Sequence, residues 1–364
     1  MLKIGIILGT RPEIIKFYSI IHELVSRKVN FFIIHTNQHY YANMDRMFFQ
    51  ELSLPNPKYN LGINSDYYHG KMVGKMLIKI EQILIKEKPT WVIVQGDTNS
   101  ALAGALATSK LKIKLGHVEA GLRSYDMEMP EEINRILIDR ISNALFCPTE
   151  NQRKILINEG MEENKIFITG NTIVDVLYQN IQKALHDKNK LYDQPYMLLT
   201  LHRPSNVDNQ KIFRQLVKSL ENVADRFNQY IIFPTHPRSA KQMKKFKISV
   251  DTNKIKIISP LGYLSMINLE KRASLIITDS GGLQEEACIL GVPCLTIRNN
   301  TERPETLEIG SNLLVGNKPK TILSGATRML NNQTNWQHPY GDGNVGKRIV
   351  DYLVPDIPNS RLRY

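Results

Sequence analysis

Cysteine is scarce in this sequence: Cys147, Cys288 and Cys294 are the three among 364 residues. The number is odd, no CxxC spacing occurs and each sits in an apolar segment. Reduced core residues are therefore expected, and neither a disulfide framework nor a zinc site is supported. Long apolar runs are missing as well. Nothing approaches the roughly 18–20 residues that a membrane span requires, and the opening MLKIGIILGT has too short an apolar stretch, and no small-residue cleavage site, for a signal peptide. The expectation is a cytoplasmic protein that does not enter a membrane. Acidic residues fall short of basic ones, 35 against 47, for a formal net charge of +12. That excess suits a nucleic-acid binder, an enzyme for polyanionic small molecules or a Lys-rich surface. The lysines are spread through helix-like segments such as 71–88 and 241–247, with no tract interleaved with aromatics, which points away from nucleic acid.

What is present is a repeating alternation. Short β-branched runs, KIGIIL (3–8), FFIIHT (31–36), WVIVQ (91–95), IKLGHV (113–118) and ALFC (144–147), are separated by amphipathic helical stretches. This order predicts a parallel sheet with helices on both faces, and right-handed crossovers put every strand's C-terminal end along one edge, where ligands bind. After the polar stretch HDKNKLYDQP (186–195), read as a linker, a second series runs MLLTLH (197–202), YIIFPT (230–235), KIKII (254–258), LIITD (275–279) and CLTI (294–297). The fold class is thus α/β: two Rossmann-like domains facing a cleft, each a three-layer α/β/α unit. Residues 1–185 form the first domain and 186–342 the second, with the C-terminal segment 343–364 expected to cross back onto the first.

Chemistry-bearing residues gather at the strand ends. The first strand runs into GTRPEIIK (9–16), a glycine turn with Pro12 opening a helix; free amides, the helix dipole, Arg11 and Lys16 suit a phosphate there. WVIVQ gives way to GDTNS (96–100), which places Asp97 at the edge with Thr98 or Asn99 as helix cap. HVEAGLRS (117–124) carries Glu119 in a small, apolar setting where a carboxylate must be paired or functional, with Arg123 within reach as a partner. MPEEINR (129–135) starts a helix at Pro130, with Glu131 and Glu132 in its first turn. Asp97, Glu119 and Glu131 come from neighbouring sheet ends and are expected to share one pocket, as acid–base work requires. In the second series TLHRPSN (200–206) ends a strand with His202 and Arg203, and THPRS (235–239) repeats the theme with His236 and Arg238. TDSGGLQEEA (278–287) turns through Ser280, Gly281 and Gly282 into a helix whose amides suit a phosphate, with Glu285 or Glu286 placed for a sugar diol; RNNTERPE (298–305) adds another Arg–Glu loop.

The ordered set GTRPE, QGDT, HVEAGLR, PEEINR, TGNTIVD, LHRPSN, DSGGLQEEA, TERPE and PYGDG, spread over nearly the whole chain, resembles the non-hydrolysing UDP-N-acetylglucosamine 2-epimerases of bacteria and archaea. The resemblance implies a glycosyltransferase-B-like fold and an isomerase that uses no metal or nicotinamide cofactor. Its reaction interconverts UDP-GlcNAc and UDP-ManNAc: UDP leaves by anti elimination to give 2-acetamidoglucal and then re-adds, the product feeding cell-surface polysaccharide synthesis. By matching motif, Asp97, Glu119 and Glu131 would be the acid–base carboxylates, with His202 at the diphosphate and Lys16 supporting the pocket. Arg11, Ser280, Gly281, Gly282 and Glu286 would hold UDP, and Gln38, His39, Glu132 and His236 are candidates for a second UDP-GlcNAc acting as activator. A homodimer is implied. The chain departs from many members at Ser205, where they carry an acid before Asn, and in SYDMEM (124–129), which lacks an aromatic–proline pair. The same mechanism on a modified UDP-HexNAc, a hydrolysing relative, a UDP-sugar transferase of the same fold and a nucleotide-sugar sensor are the alternatives.

Overall fold

The structure, a computed structural model, describes residues 2–38, 42–63, 68–186, 194–331 and 335–355. Its contacts divide the chain into one unit of Met1–Val176 with Tyr340–Tyr364 and a second of Leu177–Pro339.

In unit 1 seven parallel strands, β1 (Ile4–Leu8), β2 (Phe31–His35), β3 (Tyr59–Asn60), β4 (Trp91–Gln95), β5 (Lys114–Val118), β6 (Ala144–Cys147) and β7 (Ile166–Ile168), lie in the order β3-β2-β1-β4-β5-β6-β7. β1 and β4 are buried along their whole length, as strands covered on both faces must be, which is why they read as unbroken apolar runs. The order reverses between β1 and β4, so the first crossovers go to one face of the sheet and the later ones to the other. The loops after β1 and β4 diverge at that switch point and open a crevice outside the strand ends. Gly9 follows β1 and Gly96 follows β4. On one face Leu84, Met76 and Ile80 of the helix His69–Glu87 join Ile7, Val92 and Val94 in the core.

Unit 2 repeats the plan with β8 (Tyr196–Thr200), β9 (Tyr230–Pro234), β10 (Ile255–Ile258), β11 (Leu275–Thr278), β12 (Cys294–Thr296) and β13 (Asn312–Leu314), all parallel in the order β10-β9-β8-β11-β12-β13. Its switch point lies between β8 and β11, whose ends lead into His202 and Asp279. Phe213, Leu216, Leu220 and Val223 of the helix Gln210–Phe227 cover Met197, Leu199, Ile231 and Phe233.

The division falls at Val176/Leu177, inside the helix Thr172–His186. The first turns of that helix belong to unit 1: Gln95 donates to the Thr172 hydroxyl at 3.2 Å, and Asp175 accepts from the Val345 and Gly346 amides at 3.1 and 2.8 Å. Its last turn belongs to unit 2, where the Ala184 carbonyl accepts from Asn268 at 2.9 Å. Residues 187–193 of the stretch read as a linker lie outside the described residues. The helix Val345–Leu353 packs on the helix Tyr18–Ser26 of unit 1, with Arg27 paired to Asp351 at 2.6 Å. All three cysteines are buried and unpaired, and burial raises each thiol, Cys288 to about 11 and Cys294 to about 12. Among the described residues no helix is long and apolar enough to cross a membrane.

Candidate active site

Unit 1 gathers candidate residues at three strand ends. After β1, Thr10 caps the helix Arg11–Lys16, and a capping box with Glu13 closes the turn. Glu13 is internal: it accepts from the Gly9 and Thr10 amides at 2.9 and 2.8 Å, from the Thr10 hydroxyl at 2.9 Å and from Thr98 at 2.8 Å. Burial raises its pKa to about 7 against these hydrogen bonds. The amides expected to meet a phosphate are therefore in part already taken, because the capping box uses Gly9 and Thr10. The same Thr98 caps the helix Asn99–Lys110 by accepting from Ala101 at 3.0 Å, so Glu13 ties the two switch-point loops together.

One residue before Thr98 stands Asp97. Its carboxylate is paired with Arg135, and its carbonyl accepts from Asn134 at 2.8 Å. Both partners lie on the helix Pro130–Ile141, whose first turn carries Glu131. Asp97 and Glu131 are thus fixed to one element. Glu131 is half-buried and makes no hydrogen bond or ion pair among the described residues.

Glu119 follows β5 with φ +68°, a left-handed conformation that costs a side chain on the order of 1 kcal/mol. Its buried carboxylate pairs with Lys16 at 2.7 Å, and a Cβ built on Gly96 would lie 3.9 Å from its Oε2, which sets it beside the Asp97 loop. The anticipated Arg123 partner is otherwise engaged: Arg123 pairs with Asp139 at 2.7 Å and with Glu159 at 2.6 Å. Asp139 also meets His117 at 2.6 Å, and the other ring nitrogen of His117 lies 2.8 Å from the Gly96 carbonyl. A buried Asp–His–carbonyl chain therefore braces the loop that carries Asp97.

Unit 2 builds around Asp279. This fully buried carboxylate accepts from the His202 amide at 3.0 Å, the Arg203 amide at 2.9 Å and Asn206 at 3.1 Å, and His202 Nδ1 lies 3.1 Å away. Burial pushes its pKa up, but these partners outweigh it and hold the group below the usual range. His202 keeps a third of its side chain exposed, and its ring lies 5.4 Å from that of His236. His236 caps the helix Pro237–Phe246 by accepting from the Arg238 amide at 3.1 Å, while Arg238 pairs with Asp208. Ser205 is exposed, and the hydrogen bonding around His202 comes from Asp279, which Asn206 also reaches.

Ser280 caps the helix Gly281–Leu290. The Arg303 guanidinium lies over its first turn, where a Cβ on Gly281 would come within 2.7 Å of Nη1; only glycine admits that approach. Arg303 pairs with Glu285 at 2.9 Å and Glu302 at 3.2 Å, and Glu302 with Arg298 at 2.8 Å, all four buried. Glu285 is thereby consumed inside unit 2. Glu286, the other candidate for a sugar diol, is buried on the same helix.

The activator candidates fall in different settings. Gln38 accepts from the Ser100 amide and hydroxyl at 3.0 and 2.7 Å. Glu132 is wholly buried, accepting from Ser124, Tyr125 and, at 2.6 Å, Arg135, so its carboxylate holds the 124–125 turn. His39 lies outside the described residues.

Comparison with known proteins decides what this assembly is. The family described as UDP-N-acetylglucosamine 2-epimerase matches residues 22–354. The chain belongs to that family. It is therefore an α/β isomerase of the epimerase class. It is 54% identical over 363 residues to the UDP-N-acetylglucosamine 2-epimerase of Methanocaldococcus jannaschii, covering 97% of this chain and 99% of that one. A crystal structure of the M. jannaschii enzyme in complex with UDP-GlcNAc and UDP superposes with a TM-score of 0.93 at 53% identity, covering 97% of this chain and all of that one. The UDP-2,3-diacetamido-2,3-dideoxy-D-glucuronate 2-epimerase of Pseudomonas aeruginosa is 40% identical over 358 residues, with 97% and 99% covered.

Proposed function

We propose that the chain interconverts UDP-GlcNAc and UDP-ManNAc by eliminating and re-adding UDP, in the cytoplasm and in the service of polysaccharide synthesis. One carboxylate takes the proton from C2 as the C1–O bond to UDP breaks, leaving a C1=C2 double bond and free UDP. A carboxylic acid then delivers a proton to the opposite face of C2 while a β-phosphate oxygen of UDP re-forms the bond to C1. The C2 proton is not α to a carbonyl, so charge development at C1 must assist its removal. Proton transfer by a positioned carboxylate supplies about 10²–10⁴-fold, and the remainder falls to positioning and to electrostatics at the leaving diphosphate.

The observation that carries this reading is the setting of Glu119: a buried carboxylate on a strained φ, paired to Lys16 beside the Asp97 loop. Burial and strain both cost stability, which a purely structural residue would have no cause to bear. Lys16 neutralises the carboxylate between proton transfers, Glu131 and Asp97 are the remaining acid–base groups, and Arg11, which opens the helix that ends in Lys16, helps hold UDP. On unit 2, His202 and the Ser280–Gly282 helix start meet the diphosphate, and Glu286 the ribose hydroxyls. His236 stands beside His202 and, with Gln38, serves an activating second nucleotide sugar. Asp97→Asn, Glu119→Gln and Glu131→Gln should each lower kcat at least a thousand-fold with an unchanged circular dichroism spectrum. Near-normal turnover in all three would reject the assigned chemistry.

The 40% identity to the glucuronate epimerase supports a second substrate reading, the same mechanism on a modified UDP-HexNAc. Relative kcat/KM for the two sugars decides between them. We also propose a homodimer. Ile78 and Ile85 on the helix His69–Glu87 and Ile133 and Leu137 on the helix Pro130–Ile141 are exposed, and both helices flank the helix Asn99–Lys110. Sedimentation should give twice the chain mass, falling to a monomer in Ile133→Lys/Leu137→Lys.

A further inference from the structure

The helix Tyr263–Arg272 packs against the helix Gly281–Leu290, and Tyr263, Ile267 and Glu270 are buried on one of its faces. Glu270 is fully enclosed, and neither carboxyl oxygen has a hydrogen-bond partner among the described residues. A buried carboxyl in that state calls for an explanation, since native proteins seldom leave one. The charge it faces is Glu286, which also acts on the buried Tyr263 hydroxyl. Burial first, and then Glu286, push the Glu270 carboxyl well above the usual range. Two carboxylates offer each other no donor; a protonated Glu270 supplies one.

We propose that Glu270 is a positioning residue for nucleotide recognition, standing behind Glu286 as a neutral acid whose O–H, with the Tyr263 hydroxyl, donates to the Glu286 carboxylate. A carboxylate has about four acceptor sites. Two are filled from inside the protein, which aims the other two at the vicinal diol of a ribose. The inference rests on the reading of Glu286 as the ribose contact, and it makes Glu270 a determinant of preference for ribose over deoxyribose.

Calorimetric titration of UDP and 2′-deoxy-UDP into wild type, Glu270→Leu, Glu270→Gln and Glu286→Gln tests it. Wild type should prefer UDP. Glu270→Leu removes the donor and should weaken UDP about ten-fold, or about 1.4 kcal/mol, with a smaller change for 2′-deoxy-UDP, so the preference shrinks. Glu270→Gln keeps an N–H donor of the same reach and should retain it. A Leu variant with the wild-type preference, beside a Glu286→Gln variant that has lost it, overturns the role of Glu270 and leaves Glu286 in place. Equal loss in the Leu and Gln variants reduces Glu270 to packing and overturns the proposal as well. A Glu286→Gln variant with wild-type affinity and preference removes the ribose contact itself, and the proposal with it.

Discussion

Glu13 is a residue whose role the sequence does not disclose. It sits in GTRPE as a first-turn acid, yet the structure makes it an internal acceptor for two amides and two hydroxyls, with a pKa raised from 4.5 to about 7 by burial. A carboxyl whose folded pKa exceeds its unfolded one favours folding most when protonated. Its contribution is present below about pH 4.5, falls as pH rises towards 7 and is constant above that, a change on the order of 3 kcal/mol. Glu13→Gln should therefore gain stability relative to wild type between pH 5 and 8, read as the difference in urea midpoints; a constant difference would contradict the buried setting. The sequence also marked Asp97 and Glu119, because an acid at a strand end in a small, apolar context is legible without a structure. Their partners were not. Arg135 and Lys16 take their roles from contacts between segments far apart in the chain, as Asp279 does with His202, and Arg123, the nearer candidate for Glu119, pairs with Asp139 and Glu159.

Among the elements, the long strands were readable because burial on both faces makes them unbroken apolar runs, as in β1, β4, β8 and β11. Of the sheet edges only β10 was. β3 has two residues, and β7 and β13 three each, too few to leave a pattern, and Ile168 of β7 is half exposed. At the other extreme the helix Val345–Leu353 is tied to unit 1 by features the sequence only hinted at. Its Val345 and Gly346 amides bond Asp175, and a Cβ on Gly346 would come within 2.6 Å of the Ser19 backbone. Gly346→Ala should cost about 1–3 kcal/mol through forced separation of the two helices, measured by denaturant unfolding, while UDP affinity stays within two-fold. A neutral effect would mean that the contact is looser than its geometry indicates.

For the molecule as a whole, two sheets with the same reversal of strand order each present a switch point, and Asp97, Glu119, Glu131, His202 and Ser280 lie on a loop or helix start next to one or following a neighbouring strand, while Lys16 ends a helix and Glu286 lies within one. Topology therefore selects where chemistry is done, and side chains select which chemistry. The net charge of +12 agrees with substrates that carry a diphosphate. The central claim is that hydrogen at C2 leaves and returns from solvent-exchanging carboxylates while UDP departs. UDP-GlcNAc incubated with the enzyme in deuterated buffer and followed by proton NMR tests this most directly. The account predicts loss of the C2 proton signal from both UDP-GlcNAc and UDP-ManNAc as they equilibrate; epimerisation with the original proton retained at C2 would contradict it.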